Sequence, residues 1–268
     1  MVTVSGSIAS EKARVAESFG RLAPEYDFAG CFAHFGRRLV EVVGVEPGHR
    51  VLDVASGRGA VLFPAAERVG ALGHAEGIDL AEGMVGATNA EAERCGSAAR
   101  VRVMDAEQLD FPDAAFDRVL CGFGVMFFPD QKQGFAEMRR VLRADGRVGV
   151  STWRAAESED LGAVLRVMGL GQPPIPGWIT EPEVLSALLV EASFSEVHVA
   201  AETHVFRHAD LNAYWRGARG TGMRRNIDAL DAEQSARVRA ALTERLAQYQ
   251  RSDGYYVPAT ALLGTGRA

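Results

Sequence analysis

The chain has 268 residues, of which 47% are hydrophobic and 24% charged, the composition of an ordinary globular protein of one large domain, or one domain with a small cap. The formal net charge of −6 argues against a nucleic-acid partner. Three cysteines without C-x-x-C spacing argue against a disulfide framework or a zinc site. The first residues lack a signal pattern and no apolar run approaches about eighteen residues, so a cytoplasmic location with no membrane partner is expected.

Residues 1–7 are small and polar and are expected to be disordered. Apolar residues at helical spacing, Ala13, Val15, Ala16, Phe19 and Leu22, predict a helix over 9–23, which Pro24 ends. A loop with Tyr26 and Asp27 follows, then a helix over 33–43. Pro47 and Gly48 turn the chain into Val51-Leu52-Asp53-Val54, which reads as a buried parallel strand. Ala55-Ser56-Gly57-Arg58-Gly59 is a glycine turn, where the absent side chains allow unusual φ values and close approach of a ligand. A helix over 60–69 and a strand over 75–78 come next, and Asp79 closes that strand. An acid in this place can accept both hydroxyls of a ribose, so the stretch describes a site for an adenosine-containing cofactor. The dinucleotide fingerprint is incomplete, because Leu62 stands where its third glycine belongs.

Strands are predicted over 100–104, 116–121 and 147–153, with a helix over 131–142 and a turn at 144–146 before the last of them. The alternation predicts a parallel doubly wound sheet. Beyond it, 158–168 reads as a helix and 169–177 as a mobile loop. A helix over 180–192 opens on a Thr180–Glu183 capping box, with Pro182 in its first turn. Strands at 196–203 and 260–264 enclose two amphipathic helices, 210–219 and 231–250.

These motifs resemble a family. Tyr26-Asp27, the Asp53 to Gly59 run, Gly77-Ile78-Asp79-Leu80, Asp105-Ala106-Glu107, Phe116-Asp117-Arg118-Val119, Phe127-Phe128-Pro129-Asp130 and the run from Arg140 to Arg147 stand in order. Over roughly residues 15–155 the chain is similar to class I S-adenosylmethionine-dependent methyltransferases, in the branch of the ubiquinone and menaquinone C-methyltransferases (the methyltransferase type 11 domain) and many small-molecule enzymes of bacterial secondary metabolism. It departs from the usual pattern where Ser56-Gly57-Arg58 replaces Cys-Gly-Thr and Ala144-Asp145-Gly146 replaces Pro-Gly-Gly. Neither change removes a glycine that faces the ligand.

The resemblance implies an α/β fold: a Rossmann-like, doubly wound, seven-stranded sheet ending in an antiparallel hairpin, with a helical cap. The expected division is 1–38 as N-terminal helices and part of a lid, 39–204 as the core (157–192 partly cap), 205–257 as the cap insertion and 258–268 as the last strand. It also implies a methyl-transferring enzyme that binds S-adenosyl-L-methionine, releases S-adenosyl-L-homocysteine, and acts on a small organic acceptor by in-line displacement. The alternative is a cyclase or other non-methylating enzyme that binds the same cofactor. A homo-oligomer is possible on either reading.

Asp79 is assigned to the ribose; its competing role is a helix cap for Ala81 onward, and the two roles compete for one carboxylate. Asp105 is expected to accept from the adenine amino group, Ala106 to supply a backbone N–H, and Leu80 and Met84 to clamp the ring. Ala55, Ser56, Gly57, Gly59 and Glu107 complete the cofactor set. Asp53 would be costly as an isolated buried carboxylate, so it is expected to accept backbone N–H groups and order the glycine loop. Phe123, after the fourth strand, would border the transfer site, and Tyr26 would close over the sulfonium. Met126, Phe127, Trp153, Trp178, Tyr214 and Trp215 are the candidates to frame the acceptor. If the acceptor is a hydroxyl, a base is needed; the candidates are His34, His204, His208, Tyr214 and Tyr255, of which His204 and His208 join Tyr26 as catalytic residues. Arg216, Arg219, Arg224 and Arg225 read as a solvated helix face, the competing reading being contact with an anionic substrate. No metal is expected.

Overall fold

The structure, a computed structural model, describes residues 4–27, 30–154, 161–170 and 177–268. Two helices, Val4–Leu22 (α1) and Cys31–Val42 (α2), precede Arg50–Val54 (β1). Then come Leu62–Val69 (α3), His74–Asp79 (β2), Glu82–Arg94 (α4), Arg100–Val103 (β3), Phe116–Gly122 (β4), Gln131–Val141 (α5) and Leu142–Trp153 (β5). The C-terminal part holds Leu161–Val167 (α6), Pro182–Glu191 (α7), Ser195–His208 (β6), Leu211–Arg219 (α8), Arg224–Asp228 (α9), Ala232–Leu246 (α10), Gln250–Arg251 (β7) and Gly254–Arg267 (β8).

The sheet order is β3-β2-β1-β4-β5-β8-β6, with the two-residue β7 paired to β8. Neighbours from β3 through β5 are parallel, while β8 runs antiparallel to both β5 and β6. Chain order reverses between β1 and β4, and open α/β sheets bind ligands beyond the strand ends at such a switch point. One face packs under α5 and α7, with Phe135, Met138, Leu185 and Leu189 against the strand residues Leu52, Val54 and Val119. The other packs under α2 and α3, through Leu39, Val43, Leu62 and Val69. Strands covered on both faces explain why β1 and β4 are apolar runs instead of alternating ones.

Several expectations are amended. Helix α1 begins at Val4, so residues 4–7 lie in it; residues 1–3 are outside the described set, as are 158–160 of the predicted helix and 171–176 of the predicted loop. Thr180 does not cap α7. The residue before a proline is held extended, and Glu181 (φ −111°, ψ 138°) takes that place, so the helix opens at Pro182. The predicted turn at 144–146 lies inside β5. Pairing jumps there from Phe116↔Leu142 to Arg118↔Arg147, and Asp145 takes a φ of 67°. The hairpin strands also run further than the polar ends of their apolar patterns suggest, with pairs continuing to His208↔Tyr255. Between them α8, α9 and α10 build a core of their own, joined by α6, from Leu161, Tyr214, Trp215, Ile227, Val238 and Leu242.

Candidate active site

A crevice open to solvent runs along the carboxyl edge of β1, β2 and β4. Its floor is the glycine turn after β1. Gly57 has a φ of +51°, a conformation that side-chain-bearing residues rarely adopt, and it lies in contact range of the Tyr26 ring. Ala55 and Phe123, which follow β1 and β4, both sit at a φ of 57°. Non-glycine residues in this region are strained, and such positions cluster at sites of function.

Asp79 joins the turn to the start of α4. Its Oδ2 accepts the Gly57 N–H and its Oδ1 the Ala81 N–H, both at 2.8 Å. Burial raises its pKa, partly offset by these backbone donors. A carboxylate offers about four acceptor positions, so two remain after these bonds. Capping and facing the crevice are therefore compatible, contrary to the expectation that one would displace the other. Leu80, Met84, Asp105, Ala106 and Glu107 line the same crevice. Asp105 Oδ1 accepts the Glu107 N–H (2.9 Å), and Glu107 Oε1 accepts the Asp130 N–H (2.8 Å).

Asp53 behaves otherwise than expected. The Ser56 hydroxyl donates to its main-chain carbonyl (2.9 Å), and neither carboxylate oxygen has a hydrogen-bond partner among the described residues, although the residue is only 1% exposed. It sits near the end of β1, facing a recess shared with Tyr26, Ser56, Gly57, Ala60 and Phe123; the Ser56 side chain and the Leu62 N–H lie near enough to favour its charged form weakly, without forming a hydrogen bond of good geometry. Burial pushes its carboxyl up to about 8. Gly59 lines neither space. The Phe63 ring fills the position its side chain would need, so this glycine serves the turn (φ +80°).

Tyr26 lines both the crevice and the recess and stacks on Phe32, with centroids 5.1 Å apart. Burial raises its phenol well above the ordinary value, so it stays protonated near neutrality. Phe123 meets Trp153 at 4.3 Å and Phe32 at 5.2 Å. Met126 and Trp178 pack into the same aromatic cluster, and Phe127 lines the crevice directly. The Trp178 indole N–H is buried without a partner among the described residues.

Four predicted residues lie elsewhere. Tyr214 and Trp215 belong to the core of the helical insertion, where the Tyr214 hydroxyl accepts the Leu161 N–H (3.2 Å) and Arg239 lies over Trp215. Their apolar rings have a hydrophobic core nearby to fill. His204 stacks on His34 at 3.7 Å, and His208 meets Tyr214 edge-on at 5.0 Å; neither histidine lines the crevice. The arginines of 216–225 are partly ion-paired, Arg219 with Asp228 and Arg224 with Asp228 and Glu25. Sequence reasoning missed Lys12, Val15 and Phe19 of α1, which complete the crevice wall. The helical spacing of Val15 and Phe19 was visible, but nothing local says what a helix covers. Among the described residues no group of three or more His, Cys, Asp or Glu could hold a metal, and no helix is long and apolar enough to cross a membrane.

Residues 51–146 match the family described as a methyltransferase domain. A nocamycin O-methyltransferase of Saccharothrix syringae is 48% identical over 136 residues, 50% of this chain and 49% of that protein. An aklanonic acid methyltransferase of a Streptomyces strain is 40% identical over 146 residues, 53% of this chain and 66% of its own length. The chain thus spans about half to two thirds of these relatives. The solved structure of the Bacillus subtilis YcgJ protein aligns over 87% of this chain and 98% of its own with a TM-score of 0.61 at 20% identity, a likeness of fold. Residues 51–146 thus match a methyltransferase-domain family, and over about half its length the chain is similar to named methyltransferases.

Proposed function

We propose that the protein transfers a methyl group from S-adenosyl-L-methionine to a small organic acceptor. The observation that carries this reading is the pairing of a buried Asp53 carboxyl, without a hydrogen-bond partner among the described residues, with an acid-lined crevice at the switch point of the sheet. An isolated buried carboxylate is costly unless a cation meets it, and a methionine ammonium is such a cation. The residues fit the whole cofactor: Asp53, Ala55, Ser56 and Gly57 at the amino-acid end, Asp79 at the ribose, and Leu80, Met84, Asp105 and Ala106 at the adenine.

When bound, the cofactor supplies an electrophilic methyl on a sulfonium, whose charge disappears in the displacement. The residues around it supply position and dryness. Phe123, Phe127, Trp153 and Trp178 offer an apolar, aromatic surface beside the crevice, which suits a flat or apolar acceptor whose nucleophilic atom must be held about 3 Å from the methyl carbon. The indole N–H of Trp178 can orient a polar atom of that acceptor. Among the described residues the crevice acids are Asp79, Asp105 and Glu107, each engaged with protein partners, and Tyr26 stays protonated. The acceptor is therefore one whose nucleophile needs no strong base: a neutral amine, an activated carbon or an oxygen already ionised.

The N-terminal segment and the insertion between β6 and β8 act as lid and cap over this edge. Three free cysteines fit a reducing cytoplasm as the setting. The test is calorimetry with S-adenosylhomocysteine followed by assay with a labelled methyl donor. Binding with label transfer supports the reading. Binding with turnover but no label in any product would instead favour a non-methylating enzyme on the same cofactor, and no binding would overturn both.

A further inference from the structure

Helix α1 brings one charged group to the crevice, and it comes from outside the matched domain. Lys12, Val15 and Phe19 stand three and four residues apart, so they share a helix face, and all three line the crevice. Lys12 Nζ lies 2.7 Å from Asp105 Oδ2 and 2.5 Å from Glu107 Oε2, with its side chain 19% exposed. The other oxygen of each acid accepts a backbone N–H, Asp105 from Glu107 and Glu107 from Asp130. Lysine is thus the cation that holds two neighbouring carboxylates and, through them, the loop after β3 and the start of α5. An ammonium has three N–H donors, and two are spent here.

The seat of the helix is close-fitting. A side chain on Gly83 of α4 would meet the Gly20 carbonyl oxygen of α1 at 2.6 Å, so the two backbones touch at a pair of glycines. Phe19 meets Phe127 edge-on at 4.8 Å and Tyr26 at 6.3 Å. Helix α1 is therefore fastened at both ends of its contact, by aromatic rings near the transfer site and by Lys12 at the adenine end.

We propose that Lys12 is a positioning residue of the cofactor site: it sets the Asp105 and Glu107 carboxylates for the adenine and latches α1 across the crevice, so that a bound nucleoside leaves only when this ion-paired contact opens. This rests on the methyltransferase reading above. The chemistry is specific to the base. The exocyclic amino group of adenine donates to a carboxylate, whereas its ring nitrogens are acceptors. Two adjacent carboxylates without a cation would repel those nitrogens and each other. Lys12 removes that repulsion and leaves one N–H free to face the ring.

The experiment compares wild type, Lys12→Met and Lys12→Arg. It measures S-adenosylhomocysteine affinity and dissociation rate, hydrogen exchange across residues 4–22 with and without that ligand, and melting of the ligand-free proteins. Lys12→Met should release the ligand about tenfold faster, the scale of losing a charge-assisted hydrogen bond. Its α1 amides should lose the protection that ligand confers on wild type, and Lys12→Arg should restore most of both. Wild-type release and protection in Lys12→Met would overturn the proposal alone. Equal losses in both variants with lowered melting would also overturn it, leaving Lys12 a purely structural residue. A wild type that binds no S-adenosylhomocysteine would overturn the methyltransferase reading together with this one.

Discussion

Replacing Asp53 by asparagine keeps the shape of the side chain and removes its charge. Burial raises this carboxyl from 3.8 to about 8, a shift of about 4 units, or at most about 6 kcal/mol. The sign follows from proton binding. Between about pH 4 and pH 8 the folded chain holds a proton at Asp53 that the unfolded chain has released, so stability of the ligand-free protein falls as pH rises through that window. Asp79 shifts in the same direction and adds to the slope. Thermal melts of the ligand-free wild type should therefore fall more steeply from pH 5 to pH 8 than those of Asp53→Asn, whose remaining slope reflects Asp27 and Asp79, raised in the same direction, against His34, His49 and His208, which are lowered and act in the opposite sense. Ligand affinity should run the other way. A methionine ammonium selects the ionised carboxylate, so wild-type affinity for S-adenosylhomocysteine should rise by up to about tenfold per pH unit below about 8. In Asp53→Asn it should be flat over that range and about a hundredfold weaker at the upper end, the scale of a lost buried charge-assisted contact. Calorimetry across pH with both proteins reads both effects. Equal affinity of the two proteins at pH 8, together with parallel melting slopes, would refute the argument that this carboxylate awaits a cation.

Asp79→Ala should weaken S-adenosylhomocysteine at least about tenfold by calorimetry and lower melting by the equivalent of about 1–3 kcal/mol, because the Gly57 and Ala81 N–H groups lose their acceptor. His204→Ala and His208→Ala should leave methyl transfer and its pH profile between about 6 and 8 unchanged, since neither ring lines the crevice; a large loss of rate together with loss of the acidic limb of the profile would reinstate either as the base. Trp215→Ala should destabilise the helical insertion by about 3–5 kcal/mol in denaturant melts, as for a large buried ring, without changing S-adenosylhomocysteine affinity.

How much of this was legible depended on distance along the chain. Strand, glycine turn and acid are neighbours in sequence, and their chemistry is written in residues that must be small, extended or charged at fixed spacing. That is why the run from Val51 to Gly59, Asp79 and Asp105 could be placed along the carboxyl edge of the sheet before any coordinates. Aromatic residues of the C-terminal part carried no such information. Trp153 and Trp178 join the cluster at Phe123, while Tyr214 and Trp215 fill the core of the insertion. Burial satisfies an indole or phenol equally well in either place, and only packing distinguishes them. Asp53 was misjudged for a related reason: its cost of burial was foreseeable, but whether a backbone donor would reach it was a matter of geometry.

By itself the sequence determined the alternating parallel sheet, the switch-point crevice and the acids along its edge, because each follows from local periodicity and from side chains a few residues apart. The tertiary structure alone decided what closes that crevice. Lys12 meets Asp105 across 93 positions of sequence, and a single cation on a helix face has no period or spacing to announce its partner; only the folded approach of α1 to α4, glycine against glycine, brings the charges together.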